Sequence, residues 1–511
     1  MSLAHLTFKM MDLSSRLYYH PLAIPGFILL ATTITITLYI IYNIYFHPLR
    51  SFPGPLANSA TPLPLFRSIL RGTLPHDAKR LHAQYGPAVR IAPNEVTFTD
   101  PSAWKEIYGV RPGKPQRPKD QRHVSVGPNH IPSMLRTDDR THARYRRALA
   151  PGFSEASLQR QEVIVRGYID LLVERLRAAT AAGDGSATVD ISRWYNYTTF
   201  DIIGDLAFGD SFGCLQNSQY HFWVQVLFSH FHNAAWANIL RRIPWGQKLM
   251  RWIIPRKVRE DKQTQNEMTG EKVRARIEKG DNERADFLSH VLKQPAEKGM
   301  SEDELISNAY VLIIAGSETT ATLLSGVTYY LLTVPGVMET LQKEVRGSFR
   351  SEEEITWAAV NQLKYTLAVL NEGLRMYPPV PFGFPRIVEG GDFICGRWVP
   401  GGTSVGVPML ATHRSPHNFK NPDEFIPDRY MGDPAYEDDK RHAVQAFSLG
   451  PRNCLGQNLA YAEMRLILAR MIWNFDMELA DDSQNWIDQK SFVVWAKGSL
   501  HVKLTPVQHG P

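Results

Sequence analysis

A single cysteine near the carboxyl end of the chain lies in a setting that suits chemistry. Cys454 belongs to residues 447–456 (FSLGPRNCLG), in which glycine and proline predict a tight turn before a helix. The helix is predicted by apolar residues about one turn apart, namely Leu459, Met464, Leu468 and Ile472. Because a thiol at a helix start meets free N–H groups and the positive end of the dipole, we expect a lowered pKa for Cys454.

Three neighbours of Cys454 suit a flat cofactor with acidic groups. Gly450 and Gly456 would let such a group approach the backbone, and Arg452 could bind an acid on its rim. The alternative is a buried, inert thiol, the usual state of a lone intracellular cysteine.

A long apolar helix is predicted further upstream. Ser301 and Glu304 form a capping-box pattern, and no proline follows until Pro335. A helix of about thirty residues would span roughly 50 Å, enough to cross a domain. Its middle, residues 315–320 (AGSETT), places an acid and hydroxyls among apolar residues, where they need partners. A threonine bonded to its own backbone at a kink is the alternative to a chemical role.

A third pattern pairs an acid with an arginine one helical turn later. Leucines spaced by four, three and four predict the helix, namely Leu363, Leu367, Leu370 and Leu374. The helix should end before Pro378, and Glu372 and Arg375 share another of its faces. Such a pair in isolation is usually a solvated surface pair.

In this order and spacing, the three patterns resemble the cytochrome P450 family, from about residue 53 to residue 504. The haem-binding signature of the family matches Phe447, Gly450, Arg452, Cys454, Gly456 and Ala460. The resemblance implies haem b as the cofactor, with the Cys454 thiolate as axial ligand of the iron, a ligand that favours O–O cleavage. It also implies that Phe447, Arg452 and Gly456 help to bind the haem.

The resemblance gives the other patterns their roles. Thr319 would hydrogen-bond the bound dioxygen or its water, and Glu318 would relay protons from solvent. Heterolytic O–O cleavage consumes two protons, so an acid beside an alcohol suits the task. Glu372 and Arg375 would join Arg429 in a buried network that holds the cysteine loop.

Basic residues elsewhere match the family more loosely. His142 and Arg146 resemble a helix whose two ends contact a haem propionate, and Arg386 lies where many members place another propionate-binding arginine. Because Arg144, Arg146 and Arg147 crowd this stretch, a plain basic surface patch is the open alternative.

The amino terminus predicts a membrane anchor. Residues 21–46 carry no charge, and residues 27–46 alone would span about 30 Å as a helix, the width of a bilayer core. The chain then divides into a tail (1–21), a transmembrane anchor (22–46), a proline-rich hinge (47–60) and a catalytic domain (61–511). A cleaved signal peptide is the alternative, although its apolar region would be shorter.

Fold class and location follow from the rest of the chain. We expect one mainly α domain with a smaller β-rich region, whose strands lie in residues 88–98 and 392–407. Three cysteines in 511 residues fit a reducing compartment. Charges flanking the anchor do not set its orientation. The resemblance to the family implies a single-pass protein of the endoplasmic reticulum membrane, with the catalytic domain in the cytosol.

Partners are expected from what the sequence lacks. It contains no phosphate-binding loop and no dinucleotide fingerprint, so electrons should come from a separate NADPH–cytochrome P450 reductase, with cytochrome b5 as an optional second donor. The net charge of +6 permits a basic docking face, and nothing indicates nucleic acid. By family position, the substrate should meet Val311, Ile314, Ala315 and residues 380–384, 127–134 and 222–252.

Residues 199–209 (TFDIIGDLAFG) resemble fungal members of secondary metabolism, in particular the isotrichodermin C-15 hydroxylase-like group. This resemblance implies a monooxygenase that uses O₂ to hydroxylate or epoxidise a hydrophobic terpenoid or polyketide. Four alternatives stay open: a haem-thiolate isomerase or dehydratase that needs no O₂, a detoxifying or aromatic-acid hydroxylase, a non-catalytic membrane haem protein, and a helical scaffold without cofactor. The intact acid–alcohol pair at residues 318–319 favours oxygen chemistry over the first of these.

Overall fold

The computed structural model describes residues 23–123, 128–229, 231–280, 286–294 and 299–509. Within them the α-helices are α1 (Ala23–Ile41), α2 (Leu56–Ala60), α3 (Leu63–Arg71), α4 (Leu74–Tyr85), α5 (Ser102–Tyr108), α6 (Asp139–Leu149), α7 (Glu155–Ala182), α8 (Ile191–Phe208), α9 (Cys214–Asn217), α10 (Phe222–Ser229), α11 (Phe231–Leu240), α12 (Gly246–Ile253), α13 (Arg256–Glu278), α14 (Phe287–Leu292), α15 (Glu302–Thr333), α16 (Val337–Ser348), α17 (Trp357–Val360), α18 (Lys364–Met376), α19 (Met409–His413) and α20 (Gln457–Asn474). The strands are β1 (Ala88–Ala92), β2 (Glu95–Phe98), β3 (Ala187–Asp190), β4 (Arg386–Ile387), β5 (Asp392–Ile394), β6 (Arg397–Val399), β7 (Ser404–Gly406), β8 (Phe475–Leu479), β9 (Ser491–Phe492), β10 (Val494–Trp495) and β11 (His501–Pro506).

The sheets are small and lie outside the helical core. β1 and β2 form an antiparallel hairpin, β7 pairs parallel with β2, and β4 pairs with β7. β5 pairs with β6, β9 with β10, and β11 lies between β3 and β8. Strands therefore occur in both predicted regions, and a turn at residues 401–402 separates β6 from β7. The mainly α architecture with a smaller β-rich part is confirmed.

The predicted anchor is an uncovered apolar helix. α1 continues through a π-helical turn, Tyr42–Phe46, and the segment Ile24–Phe46 has a mean hydropathy of 2.0, with no residue of its hydrophobic window buried. By length and composition this helix can span a membrane. The expected tail, residues 1–21, lies outside the described residues.

The segment after the anchor packs against the domain. Leu49 and Phe52 are buried in a cluster with strand residues. Asn43, at the end of the anchor, donates from its side chain to the Ala60 carbonyl at 3.0 Å, and its own carbonyl accepts from Arg90 Nη1 at 2.9 Å. Residues expected to act as a hinge are thus held against the domain by burial and hydrogen bonds.

The predicted long helix, α15, forms the spine of the domain. It begins with the predicted capping box between Ser301 and Glu304. Most of α15 is buried, so its apolar length reflects a core position. It crosses α8 closely at Gly316, where an added Cβ would lie 2.6 Å from Ile203 Cδ1. This close approach is the physical reason for glycine in the middle of the helix.

Candidate active site

A large cavity lies between α15 and the cysteine loop, which we define as residues 446–456. Its empty volume is about 1550 Å³. On α15 it is lined by Val311, Ala315 and Thr319, and elsewhere by the cysteine loop and the start of α20. We call it the central cavity.

The thiol of Cys454 faces the central cavity and is exposed there. Its backbone N–H donates to the Phe447 carbonyl at 2.8 Å, and Asn453 N donates to the Gly450 carbonyl at 3.0 Å. Arg146 holds the loop in place, donating to the backbone and side-chain oxygens of Asn453 at 2.7 and 2.6 Å. Together these bonds fix the position from which the thiol points into the cavity.

Burial raises the pKa of the Cys454 thiol, so the predicted lowering is wrong for the protein alone. α20 begins only at Gln457, and the thiol is therefore not on the first helical turn. The N–H of Gly456 and the charge of Arg146 do lower this pKa, but the loss of hydration deep in the domain outweighs both. The helix dipole alone would lower this pKa, but desolvation has the larger effect in the folded protein.

Glycine occurs at positions 450 and 456 of the loop for different structural reasons. Gly450 has φ +79°, and a Cβ there would lie 2.0 Å from the Tyr108 carbonyl oxygen. Packing against Tyr108 therefore requires glycine at position 450. Gly450 does not line the cavity, so the prediction that it leaves space for a cofactor is wrong. Gly456 lines the cavity, and its nearest neighbour to an added Cβ is Phe153 at 3.8 Å. Of the two, Gly456 alone is placed to leave room for a bound group.

Glu372 and Arg375 are buried together with Arg429, as the motif implied. Arg375 donates to both carboxylate oxygens of Glu372, at 2.7 and 2.6 Å, and Arg429 Nε lies 3.4 Å from the same carboxylate. All three side chains are 0% exposed. Arg429 also pairs with Asp439. Two arginines and two acids thus balance their charges without water.

The network reaches the cysteine loop through His413. Arg375 Nη1 donates to the His413 carbonyl at 3.0 Å, and the His413 ring accepts from Gln445 N at 3.3 Å. Burial lowers the pKa of His413 to about 3, so the ring is neutral and can accept this bond. The Gln445 carbonyl accepts from Ser448 N, inside the loop, at 2.8 Å. The network therefore supports the loop through backbone contacts.

Arg452 and His142 line the central cavity, as does Arg146. Arg452 is tied down by Asp139, at 2.8 Å, and by the Thr137 carbonyl, also at 2.8 Å. Burial and the nearby charges of Arg452 and other cations lower the pKa of His142 to about 4. His142 is therefore a neutral ring at physiological pH.

Arg386 is the cation best placed to receive an acidic group. It lines the cavity, is 3% exposed, and its Nε and Nη1 atoms have no hydrogen-bond partner in the described part of the chain. Its guanidinium stacks over the Tyr108 ring at 5.4 Å, and burial lowers its pKa to about 10. Buried guanidinium groups without an anion are unfavourable, so this site suits a carboxylate that the chain itself does not supply.

Lys119 is a cavity residue that sequence reasoning missed. It is buried, lines the cavity, and forms a β-bridge with Arg386. Burial and the charges of Arg386 and Arg452 lower the pKa of its ammonium well below the usual range. No motif marks this lysine, because its neighbour Arg386 lies far away in the sequence.

The predicted acid–alcohol pair is split between two faces of α15. Thr319 lines the cavity and donates its hydroxyl hydrogen to the Ala315 carbonyl at 2.6 Å, the local bond foreseen as the alternative. Glu318 does not line the cavity. Its side chain is buried. One carboxylate oxygen pairs with Lys497 Nζ and accepts a hydrogen bond from Thr322 Oγ1 at 3.3 Å, and burial raises the pKa of the carboxyl group. The relay role of Glu318 stays a prediction that this geometry does not support.

A second buried acid, Glu463 of α20, does line the cavity and was also missed. The available signal was a charged residue within an apolar helix. Of the expected substrate contacts, Val311, Ala315, Val380, Gly383, Phe384 and Met134 line the cavity, whereas Ile314 packs in the core. Residues 124–127 lie outside the described residues. The described part of residues 222–252 does not reach the central cavity, but Ala235 and Asn238 line a smaller neighbouring one of about 560 Å³.

Comparison with known proteins agrees with this geometry. A family model described as Cytochrome P450 matches residues 58–504. The cytochrome P450 monooxygenase aclL of Aspergillus oryzae is 45% identical over 473 residues, which cover 92% of this chain and 96% of that protein. The averantin hydroxylase of Dothistroma septosporum is 43% identical over 489 residues, covering 94% and 90%. The trichothecene C-4 hydroxylase of Trichoderma arundinaceum is 43% identical over 484 residues, covering 92% and 95%.

The family match spans nearly all of the described domain, and the relatives are similar along their whole length. The family is one of haem-thiolate proteins that act on small molecules with O₂ and electrons from a redox partner. The match and the relatives give no support to a scaffold without cofactor or to a haem protein that does not use O₂. The chain belongs to the cytochrome P450 family and is a haem-dependent monooxygenase.

Proposed function

We propose that the chain is a membrane-bound enzyme that hydroxylates or epoxidises a neutral, hydrophobic terpenoid or polyketide of fungal secondary metabolism. The observation that carries the proposal is the Cys454 thiol in a cavity of about 1550 Å³ that also holds the unpartnered guanidinium nitrogens of Arg386. An axial ligand for the iron and cations for the propionates are the two features that a haem site requires, and a thiol ligand is the one that favours O–O cleavage. Relatives named as hydroxylases of averantin and of trichothecene support oxygen insertion.

The residues present fit the cofactor. Cys454 Sγ would bind the haem iron, and Arg386, Arg452 and Lys119 would bind the propionates. Arg146 already donates hydrogen bonds to Asn453, so its role would be to hold the cysteine loop. Bound through a thiolate, haem supplies the activation of O₂, from which one oxygen atom enters the substrate and the other leaves as water.

Thr319 has the geometry of a residue that handles protons at the cavity wall. Its oxygen is exposed to the cavity while its hydrogen is donated to the Ala315 carbonyl at 2.6 Å. Rotation about the side-chain bond would redirect the hydroxyl hydrogen into the cavity. Thr319 Oγ1 can therefore accept a hydrogen bond in one rotamer and donate one in another.

The wall expected to meet the substrate is apolar. Val311, Ala315, Val380 and Phe384 line it, and the cavity cations cluster around Arg386 and Arg452. Apolar walls bind by excluding water and give no compensation for a buried carboxylate. A neutral substrate is therefore favoured over the aromatic acid considered above.

For location and partners, we propose a single-pass protein of the endoplasmic reticulum membrane with its domain in the cytosol. NADPH–cytochrome P450 reductase would supply the two electrons, and cytochrome b5 could supply the second electron in its place. The uncovered apolar helix Ile24–Phe46 supports membrane attachment. The free thiols of Cys214 and Cys395 agree with a reducing compartment.

The proposal is tested by replacing the ligand. Cys454→Ala should abolish the thiolate-type spectrum of the reduced carbon monoxide complex. The matched control is Cys395→Ala, because Cys395 is half-buried, contacts Ser102 and does not line the cavity. An unchanged spectrum in Cys454→Ala would exclude this ligand. Wild-type protein that takes up no haem, or that never oxidises NADPH with the reductase, would exclude the function.

A further inference from the structure

A short segment of chain lies against the start of α15 and forms part of the wall of the central cavity. We call it the strap and define it as residues 129–135. Two strap side chains, Met134 and Leu135, line the cavity, and Val311 and Leu312 line it from α15. The space expected to hold the substrate is therefore bounded by the strap and by α15 together.

Two buried side chains of α15 hold the strap by hydrogen bonds. The Ser307 hydroxyl donates to the Ile131 carbonyl at 2.8 Å. Asn308 Oδ1 accepts from the Met134 backbone N–H, also at 2.8 Å. Both polar side chains are at most 1% exposed. The second bond acts directly on a residue that lines the cavity, so Asn308 has the closer connection to the substrate space.

The side-chain amide of Asn308 is held at both ends. Its Nδ2 donates to the Glu304 carbonyl, one turn back in α15, at 2.8 Å, and this bond leaves Oδ1 facing the strap. Met134 is 8% exposed, so water does not readily replace Oδ1 as acceptor for its N–H. A buried N–H without an acceptor is unfavourable. The strap is therefore stable in this position as long as Asn308 accepts its hydrogen bond.

We propose that Asn308 is a positioning residue that fixes the strap and thereby sets the size of ligand that the central cavity admits. Asn308 does not line the cavity and acts through Met134. The inference rests on the proposed function and deepens it, because the space concerned is the one for the hydrophobic substrate. Mostly apolar walls offer few polar contacts, so they select ligands largely by shape. A strap held in one place defines that shape, whereas a loosened strap lets large ligands enter and leave faster.

Hydrogen exchange measures the contact without any ligand. Asn308→Leu keeps the branched shape of asparagine but offers no acceptor to the Met134 N–H. In the full-length protein, peptides from residues 131–137 should exchange at least several-fold faster in this variant than in the wild type. Peptides from the second half of α15 should keep their wild-type rates. Asn308→Asp keeps an acceptor oxygen and should restore most of the protection.

Two azoles of different size measure the consequence for the cavity. Imidazole and clotrimazole both bind haem iron through a ring nitrogen, and stopped-flow spectra of the full-length haem protein record their binding. In Asn308→Leu, clotrimazole should bind and dissociate several-fold faster than in the wild type. Imidazole should keep its wild-type rates, because it is small enough to pass the strap in its closed position.

Asn474, the last residue of α20, offers a matched control. Its Nδ2 donates to the Arg470 carbonyl one turn back at 2.8 Å, and its Oδ1 accepts from Arg177. It is 1% exposed, like Asn308, but it contacts neither the strap nor the cavity. Asn474→Leu should therefore lower the thermal stability while both azoles bind at wild-type rates.

Three outcomes would overturn the inference: unchanged exchange of residues 131–137, equal changes for both azoles, or clotrimazole kinetics altered as much by Asn474→Leu. Should Asn308→Leu fail to fold, Asn308→Ser carries the same test, because its hydroxyl is too short to reach the Met134 N–H. Wild-type protein that takes up no haem would overturn the proposed function instead. Exchange of the strap needs no haem, so the two failures are distinguishable.

Discussion

Lys497 binds Glu318 on the side of α15 that is turned away from the central cavity. Both side chains are almost fully buried, and Lys497 Nζ also donates to Thr322 Oγ1 at 2.6 Å. The pair ties the segment before β11 to the central helix. The second oxygen of Glu318 is buried and has no partner in the described chain.

Lys497→Met should therefore destabilise the protein strongly, because it leaves a buried carboxylate alone. Loss of one partner of a buried pair lowers the free energy of unfolding by about 3–5 kcal/mol. Lys497→Met combined with Glu318→Gln should regain part of this loss, since no charge is then left unpaired. Denaturant titration of the wild type and the two variants measures both effects. A single variant as stable as the wild type would contradict the pairing.

Stability should depend on pH through Glu463. Its carboxyl ordinarily titrates near 4.5, and burial raises the pKa to about 8 in the folded protein. The folded state therefore holds the proton more tightly than the unfolded state. This contribution is complete below pH 4.5 and is lost as the pH rises to about 8, by about 1.4 kcal/mol per pH unit.

Glu463→Gln cannot ionise and should lose less stability over that range than the wild type. Urea unfolding at pH 5 and pH 8, compared between the two proteins, isolates the contribution of this one group. An identical pH dependence in both proteins would mean that the carboxyl is charged in the folded state.

Arg386→Met should separate haem binding from folding. Removing a buried guanidinium with unpartnered nitrogens should leave the apoprotein as stable or make it more stable. The same change should speed haem loss to a haem-binding scavenger, since a propionate would lose its partner. Arg397→Met is the control, because Arg397 stacks over Phe52 at 4.6 Å and does not line the cavity. Unchanged haem retention would contradict the assignment.

Local patterns and distant contacts differed in how well the sequence predicted them. The capping box of α15 and the Glu372–Arg375 pair each lie within a few residues, so backbone geometry brings their members together. The Lys497–Glu318 contact spans 179 residues, and no local pattern indicates it. Lys119 and Arg386 meet in the same way across distant segments.

The orientation of Glu318 could not be predicted from its position beside Thr319. Successive residues of an α-helix point about 100° apart, and in α15 this rotation places Glu318 off the cavity wall that Thr319 lines. The family motif indicated which residues matter but not which wall each one occupies. Glu463 escaped notice because an acid in a helix is ordinarily solvent-exposed, and only packing makes it a cavity residue.

Thr319→Ala should keep its haem but divert reducing equivalents to peroxide or water. The variant loses a hydroxyl on the cavity wall that can turn from the Ala315 carbonyl into the cavity. Ser317→Ala is the matched control: Ser317 lies in the same helix, donates to the Ile313 carbonyl at 2.6 Å and does not line the cavity. The ratio of peroxide to NADPH measures the effect. Full coupling in Thr319→Ala would argue against a role in proton transfer.

Removing the anchor should leave a second membrane contact in place. Trp245 and Trp252, at the two ends of α12, are 73% and 88% exposed, and basic residues follow in α13. Tryptophan beside cationic residues favours the membrane interface. A variant lacking residues 1–41 should therefore stay partly associated with membranes in low salt, and complete solubility would contradict this. Changing both tryptophans to serine in that variant should release it.

The position of the cut should matter as well, because the end of the anchor is part of the folded domain. A variant lacking residues 1–50 also loses Leu49 from a buried cluster and the Asn43 carbonyl that accepts from Arg90. A lost core leucine alone lowers the free energy of unfolding by about 2–5 kcal/mol. The longer truncation should therefore unfold at a lower temperature than the one ending at residue 41. Equal melting temperatures would mean that residues 42–50 do not stabilise the domain.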